Sequence, residues 1–507
     1  MTDAMLPLLV VVPLLAAAVG VALPARVTGV LSVVVPLATA LGGLGLLVAT
    51  SDGKVLVQQV GGFVPGIAIP MVADTLTGLL VLVTSLTTAV VLAFTVLNRE
   101  SRLRFFPSLA LMLLAGVNGA LLTGDLFNLF VFIEVMLLPS YALIAMTGTW
   151  RRLGIGRLFV VVNLLTSTIL LVGVGLVYGV AGSVNMSVLN GADHDDPRYR
   201  VAVGLVMLAL GVKAAVVPLH GWLPRAYPAT SASVMALFSA LHTKVAIYAL
   251  YRVHQVVLGG DLFSGATSGW TWLAIAVVCT TMVVGGYGSL GEKMIRRNLS
   301  WQMVAGVGYI LLGLAIGTRL GLAAGLFYMV HHILVMGALL LGSAAIEHVY
   351  KSHDFTRLSG LMRREPVLAV VMALAMLSLV GFPPSSGFFA KVGIVRAAAG
   401  LDDPARVVVM VVIVVASLGS LVAMLRLWRD VFWGPPMEDL PSAGHGEPCP
   451  TDFAVGTRAP RRLVVPAAVL LVASLALFVV PGEVWEVTGR AADGLLDVSA
   501  YTRAVLG

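Results

Sequence analysis

Apolar stretches, mostly 18 to 25 residues long, recur along the 507-residue chain with short polar segments between them. They fall near residues 5–23, 28–50, 72–97, 105–123, 128–147, 157–182, 201–228, 231–254, 269–290, 298–317, 320–346, 366–400, 405–433 and 461–481. At about 1.5 Å per residue, a helix of that length crosses a hydrocarbon layer of about 30 Å. The pattern predicts an all-α polytopic membrane protein with about fourteen transmembrane helices. The first stretch, Met5 to Ala22, has no basic region before it and no convincing cleavage site, so it reads as a retained span.

Two of the stretches differ from the rest. Residues 201–228 and 366–400 are both long, both interrupted by Pro and Gly, and each carries one lysine. In the first, Lys213 precedes a break at Pro218, with Pro224 beyond it. In the second, GFPPSSGFFAK, the break at Gly381 to Pro384 precedes Lys391. Proline removes a backbone donor, and inside a bilayer the freed carbonyls are tolerated only where they meet protein or water. Five spans separate the two breaks, so the equivalent segments run in opposite directions. An inverted-topology repeat with a discontinuous helix in each half requires that arrangement. Two unrelated proline kinks are the alternative reading.

Composition agrees with the pattern. Hydrophobic residues make up 59% of the chain and charged residues 11%, with a mean hydropathy of +0.99, against about 25% charged residues in soluble proteins. The net charge of +7 does not point to nucleic acid, because the basic residues cluster in short connections between apolar stretches. With the N-terminus outside, 20 of the 32 Lys and Arg fall in inner connections and nine in outer ones. The other three, Lys213, Lys244 and Lys391, lie within spans. This asymmetry is the positive-inside signature. An even number of spans puts the C-terminus outside as well, with the Pro- and Gly-rich connection 434–462 on the inner face. Cys279 sits in an apolar stretch and Cys449 in a connection, with no metal-ligand spacing around either. No redox centre, nucleotide-binding loop, zinc signature or hydrolase triad is encoded. The expectation is a secondary transporter subunit, not an enzyme, with no cofactor and no metal.

Charge at mid-membrane depth costs about 2.5–3.5 kcal/mol on insertion scales, so intramembrane ionisable residues are candidates for function. Glu134, with five apolar residues on either side, must be protonated or paired, and Lys213 is its expected partner. Loosening such a pair would release a proton; a static clamp between two helices is the alternative. Lys244 shares a helix face with Tyr248 one turn on, while His242 points elsewhere. His331 and His332 lie in LFYMVHHILVMGALLL. Histidine both donates and accepts near neutral pH and suits a relay. Lys391 closes the series Glu134, Lys213, Lys244, His332, Lys391. Transfer along it needs bridging water or hydroxyls, because a proton moves directly only over about 2.6–3.2 Å. Ser300, Gln302, Thr243, Tyr309 and Ser378 are candidates to hold that water.

The stretches GDLFNLFVFIEVMLLPSYALIA, KAAVVPLHGWLPRAYPATSASVMALFSALHTKVAIYALYR and GFPPSSGFFAKVGI resemble the antiporter-like membrane subunits shared by Mrp-type sodium/proton antiporters and respiratory complex I. The resemblance covers roughly residues 70 to 430. DLFNLFVFIEV and RDVFWGP are most similar to D-type subunits of Mrp complexes, and the short C-terminal region argues against the larger A-type or distal complex I subunits. The resemblance implies a fourteen-helix fold with two inverted five-helix repeats. Residues 1–104 would hold helices 1–3, 105–257 the first repeat (helices 4–8), 258–433 the second (helices 9–13), and 434–507 a loop, helix 14 and a tail. It also implies a coupled pair at Glu134 and Lys213, a central relay at Lys244 and His332, and a terminal lysine at Lys391. The expected setting is a bacterial plasma membrane complex with Mrp-type antiporter subunits of the A, B, C, E, F and G types, moving H+ and Na+ in pH homeostasis. The alternative is a proton-pumping subunit of a quinone- or hydrogenase-linked enzyme. Related subunits often carry a lysine where this chain has Met336, and a glycine where it has Ala246.

Overall fold

The computed structural model describes residues 3–146, 150–260, 269–435 and 458–507. Each of the fourteen apolar stretches forms helix. The helices are α1 (Leu8–Gly20), α2 (Ala25–Ala49), α3 (Thr75–Leu97), α4 (Phe106–Leu122), α5 (Leu126–Ala145), α6 (Trp150–Ala181), α7 (Pro197–Ala214), α8 (Ala232–Arg252), α9 (Gly269–Gly288), α10 (Ile295–Ile316), α11 (Arg319–Tyr350), α12 (Pro366–Val380), α13 (Ser386–Ala399), α14 (Ala405–Leu427) and α15 (Arg461–Val479). Among the described residues eleven helices are long and apolar enough to cross a membrane, or twelve when α7 is joined to the bent segment Leu219–Ala229. The helices α4 and α12 fall below that length. The chain is a multi-pass membrane protein, and the expected count of fourteen is not reached on length alone.

Helix starts are set by local chemistry. Asp74, Asp125, Ser231, Thr318 and Ser385 each cap a helix by accepting from a backbone N–H of its first turn, which satisfies one of the donors a helix start leaves free. Two helices form the centre. Every residue of α8 is buried, and α11 is buried from Gly321 through Ile346. The two pack against each other, so the polar side chains they carry are enclosed by protein.

Both interrupted stretches break, but the first does so earlier than its prolines suggest. The helix α7 ends at Ala214, Ala215 takes a left-handed conformation (φ 63°), and the bend is 43°. Pro224 sits in the first turn of the short helix Leu223–Ala226, where a missing donor is harmless. The second break lies where the sequence places it, with Gly381 (φ 94°) ending α12 and α13 beginning at Ser386. A left-handed residue after a helix is the usual glycine role.

Two features escaped the hydropathy pattern. A short antiparallel pair joins β1 (Leu56–Gln59) to β2 (Pro70–Ala73). Beyond α15, two further helices, α16 (Pro481–Leu496) and α17 (Ser499–Leu506), pack against this face. Arg319 pairs with Asp493 at 2.5 and 2.8 Å, and Gln59 donates to the Val505 carbonyl at 2.8 Å. Most of the polar connection 434–462, including Cys449, lies outside the described residues.

Candidate functional site

Packing of α7 against α6 places Lys213, one residue before the end of α7, beside α5 and α6. Lys213 is 6% exposed, and its Nζ donates to Ser167 Oγ on α6 at 3.0 Å. Ser167 in turn donates to a Glu134 carboxylate oxygen on α5. Among the described residues no direct ion pair within 4 Å joins Lys213 to Glu134, so the expected pair is relayed by a hydroxyl. A serine that accepts from an ammonium and donates to a carboxylate is itself a proton-transfer element. Glu134 is half-buried, unlike the lysine. We expect Ser167→Ala to slow proton exchange by roughly tenfold or more, since positioned proton transfer contributes about 10²–10⁴-fold. Ser167→Thr should restore it, as measured by rate per assembled complex.

A small cavity of about 10 Å³ lies between Lys213 and His242, lined by Asn163, Trp222 and Met136 among others. That volume is about one water molecule. His242 Nε2 lies 2.8 Å from Ser140 Oγ, and Ser140 donates to the Met136 carbonyl at 2.7 Å. With that hydroxyl proton engaged, Nε2 carries the imidazole hydrogen and Nδ1 is left as acceptor. The ring stacks on Phe238 at 4.4 Å.

Two positions further along α8 the side chain points the other way. Lys244 is 1% exposed, and Nζ donates to Thr243 Oγ1 at 3.3 Å. It lies within electrostatic reach of His332 on α11. The helix α8 thus presents His242 to the first cluster and Lys244 to the second. The His332 ring lies against Gly306 of α10, where only the absence of a Cβ leaves it room. Neither ring nitrogen has a side-chain partner of ordinary geometry. His331 turns toward the second break, with Nδ1 2.8 Å from Ser386 Oγ, which lies 2.8 Å from Ser474 Oγ.

The second break holds Lys391. Its Nζ donates to the Val380 carbonyl, freed where α12 ends, at 2.8 Å and to Ser417 Oγ on α14 at 2.9 Å. The ammonium also lies 4.6 Å from the centre of the Tyr309 ring, a cation–π distance. Ser417 contacts the Tyr309 hydroxyl at 2.8 Å, and Tyr309 donates to the Ile413 carbonyl at 3.3 Å. Tyr309 stacks on Tyr328 at 5.0 Å, and Tyr328 reaches the His332 ring at 6.1 Å. The two halves correspond. In each, a lysine beside a helix break donates to a serine, and the serine meets an acidic or phenolic oxygen. Those oxygens, Glu134 on the fifth span and Tyr309 on the tenth, are five spans apart.

The remaining candidates lie elsewhere. Ser300 donates to the Arg297 carbonyl and Gln302 to Ser289. Tyr248 donates to the Leu121 carbonyl at 2.6 Å and accepts from Arg252. Ser378 Oγ is buried without a partner. Ser167, Ser140 and Ser417 were not singled out from sequence; each is a lone hydroxyl in an apolar stretch, a weak signal without the fold. Arg252, assigned to an outer connection by the charge count, is 2% exposed and paired with Asp74 at 2.5 Å.

Residues 123–418 match the protein family described as "NADH:quinone oxidoreductase/Mrp antiporter, TM". The chain is 32% identical over 467 residues to the D-type subunit of the Na(+)/H(+) antiporter of Alkalihalophilus pseudofirmus, covering 91% of this chain and 90% of that one. It superposes with TM-score 0.92 and 41% identity on a chain in the structure of the Mrp complex from Dietzia sp. DQ12-45-1b, covering 100% of both. A chain of the membrane-bound sulfane sulfur reductase, an archaeal respiratory membrane complex, matches with TM-score 0.86 and 25% identity over 99% of each.

Proposed function

Because this chain belongs to the membrane-subunit family shared by NADH:quinone oxidoreductase and Mrp antiporters, we infer that it is the proton-translocating subunit of a multisubunit Na+/H+ antiporter. It works with other Mrp-type subunits. The observation that carries this reading is the series of buried lysines and histidines. Lys213, Lys244 and Lys391 occupy three separate polar clusters inside the bundle, and α8 and α11 connect them.

Glu134, Lys213, Lys244, His332 and Lys391 form the relay in this reading, with His242, His331, Ser167, Ser417 and Tyr309 in support. The negative charge of Glu134 stands one hydroxyl away from the Lys213 ammonium, joined to it by Ser167. When a cation or a neighbouring subunit neutralises that charge, Lys213 releases its proton. The acceptor nitrogen of His242 across the one-water cavity receives it. The α8 backbone does not carry protons, so passage from His242 to Lys244 goes around the helix by water. Lys244 exchanges with the imidazole of His332, and the Tyr328, Tyr309 and Ser417 hydroxyls lead on to Lys391. The Val380 carbonyl holds the Lys391 ammonium in place, which gives the second break a direct role. Met336, at a position where related subunits carry lysine, contributes no charge, so of these two positions one turn apart on α11 only His332 serves the relay.

The two broken spans, five spans apart, support residues 105–257 and 258–433 as inverted repeats. The bias of basic residues supports a bacterial plasma membrane protein with both termini outside. The 25% identity to a chain of a respiratory complex supports, less strongly, the alternative of a redox-linked pump. Purification decides between them. We expect this chain to bring down small multi-span partners without flavin or iron–sulfur proteins, and vesicles holding that complex to show Na+-dependent proton movement. Co-purified redox subunits would overturn the antiporter reading.

A further inference from the structure

A second polar route leaves Lys244, away from His332. Lys244, Tyr248 and Arg252 stand one turn apart on the same face of α8, all buried. Tyr248 accepts from Arg252 Nε at 3.1 Å, and Arg252 Nη2 donates to Asp74 Oδ1 at 2.5 Å and to Thr77 Oγ1 at 3.2 Å. The guanidinium lies between the Tyr248 and Tyr501 rings, 5.3 Å from each. Its Nη1 is buried and has no partner. Asp74 closes the route as the cap of α3 and opens onto a polar vestibule of about 440 Å³. Asp493, Asp497 and Arg490 of α16 and its C-terminal end, together with Asp52 and Lys54 of the facing loop, line that vestibule.

We propose that this is a proton outlet, in which Asp74 exchanges protons between Lys244 and solvent under the C-terminal helices. The inference rests on the relay reading above. Arg252 cannot give up a proton in a protein, so it positions Asp74 and does not carry. In one step a Lys244 N–H bond breaks and an Asp74 O–H bond forms, by way of water beside the Tyr248 hydroxyl, leaving a neutral amine and a neutral acid. In the next, Asp74 gives the proton to vestibule water, which leaves a carboxylate and hydronium. Four residues of helix separate Lys244 from Tyr248, about 6 Å of rise, so the step requires a bridging water between them. The Arg252 guanidinium and the Thr77 N–H hold the Asp74 carboxylate in place at the start of α3. A proton reaching Asp74 passes to the vestibule, which its carboxyl lines.

The test uses the whole complex in vesicles. Tyr248→Phe keeps the ring beside Arg252 and removes the hydroxyl, and should slow exchange severalfold per assembled complex. Asp74→Asn keeps the helix cap and removes the titrating group, and should slow it by roughly tenfold or more. Should Asp74→Asn fail to assemble, Ala500→Cys, in the vestibule wall, gives an independent reading. Its modification by a membrane-impermeant, sulfonate-bearing methanethiosulfonate should slow exchange severalfold, with the same reagent on the unsubstituted complex as control. Full rates in both Tyr248→Phe and labelled Ala500→Cys would overturn the outlet. Retained exchange in Lys213→Ala would instead overturn the antiporter relay itself, so the two failures are distinguishable.

Discussion

Lys213→Ala stops Na+-driven proton exchange, lowering the rate by roughly a hundredfold or more, as removal of a positioned proton carrier does, while the complex still assembles. The reason lies in the Lys213–Ser167–Glu134 chain. With the amine gone, Ser167 still donates to the half-buried carboxylate, so that hydrogen bond is kept and the complex assembles. The first half of the relay, however, loses the group that takes up and releases the proton. Lys213→Arg sharpens the result. It keeps a cation beside Ser167 but cannot deprotonate, so it too should be inactive. If Lys213 were only a fastener, Arg would restore exchange. Measuring cation-induced pH change in vesicles, normalised to assembled complex, separates the two.

Lys391→Ala should lower exchange to a similar extent, with a cost to stability that Lys213→Ala lacks. The Lys391 ammonium donates to the Val380 carbonyl and to Ser417 and lies over the Tyr309 ring. Its loss leaves the end of α12 with an unpaired carbonyl beside the break, at about 1–3 kcal/mol for a buried polar group without a partner. Thermal unfolding of the Lys391→Ala complex should therefore begin at lower temperature than that of the Lys213→Ala complex. Lys391→Arg should recover stability without recovering exchange. A variant that recovers both would show that the charge at the second break is only structural.

The site was legible in unequal parts. Glu134, Lys213, Lys244, His331, His332 and Lys391 stood out because an ionisable residue in an apolar stretch is anomalous wherever the stretch folds. The two breaks were visible for a related reason, as turn-forming residues where helix was otherwise required. The connecting hydroxyls were not. Ser167 and Ser417 are ordinary in membrane helices, and only the packing of α6 against α7 and of α13 against α14 makes them bridges. The charge count placed Arg252 in a connection because it stands near the end of a span. Its burial depends on Asp74, 178 residues away.

That this is a helical membrane protein, where its helices run and which charges they carry could all be read from the amino-acid order. Each follows from hydropathy, helical rise and the cost of burying a charge, all of them local to a stretch. Which groups meet could be read only from the packed chain: that a serine stands between Lys213 and Glu134, that α8 turns His242 and Lys244 to opposite sides, and that Lys244 faces both His332 and a second route to Asp74. Distance is the cause of this division. Protons pass only between atoms a few ångströms apart, and contacts between residues far apart in the chain are set by how helices pack.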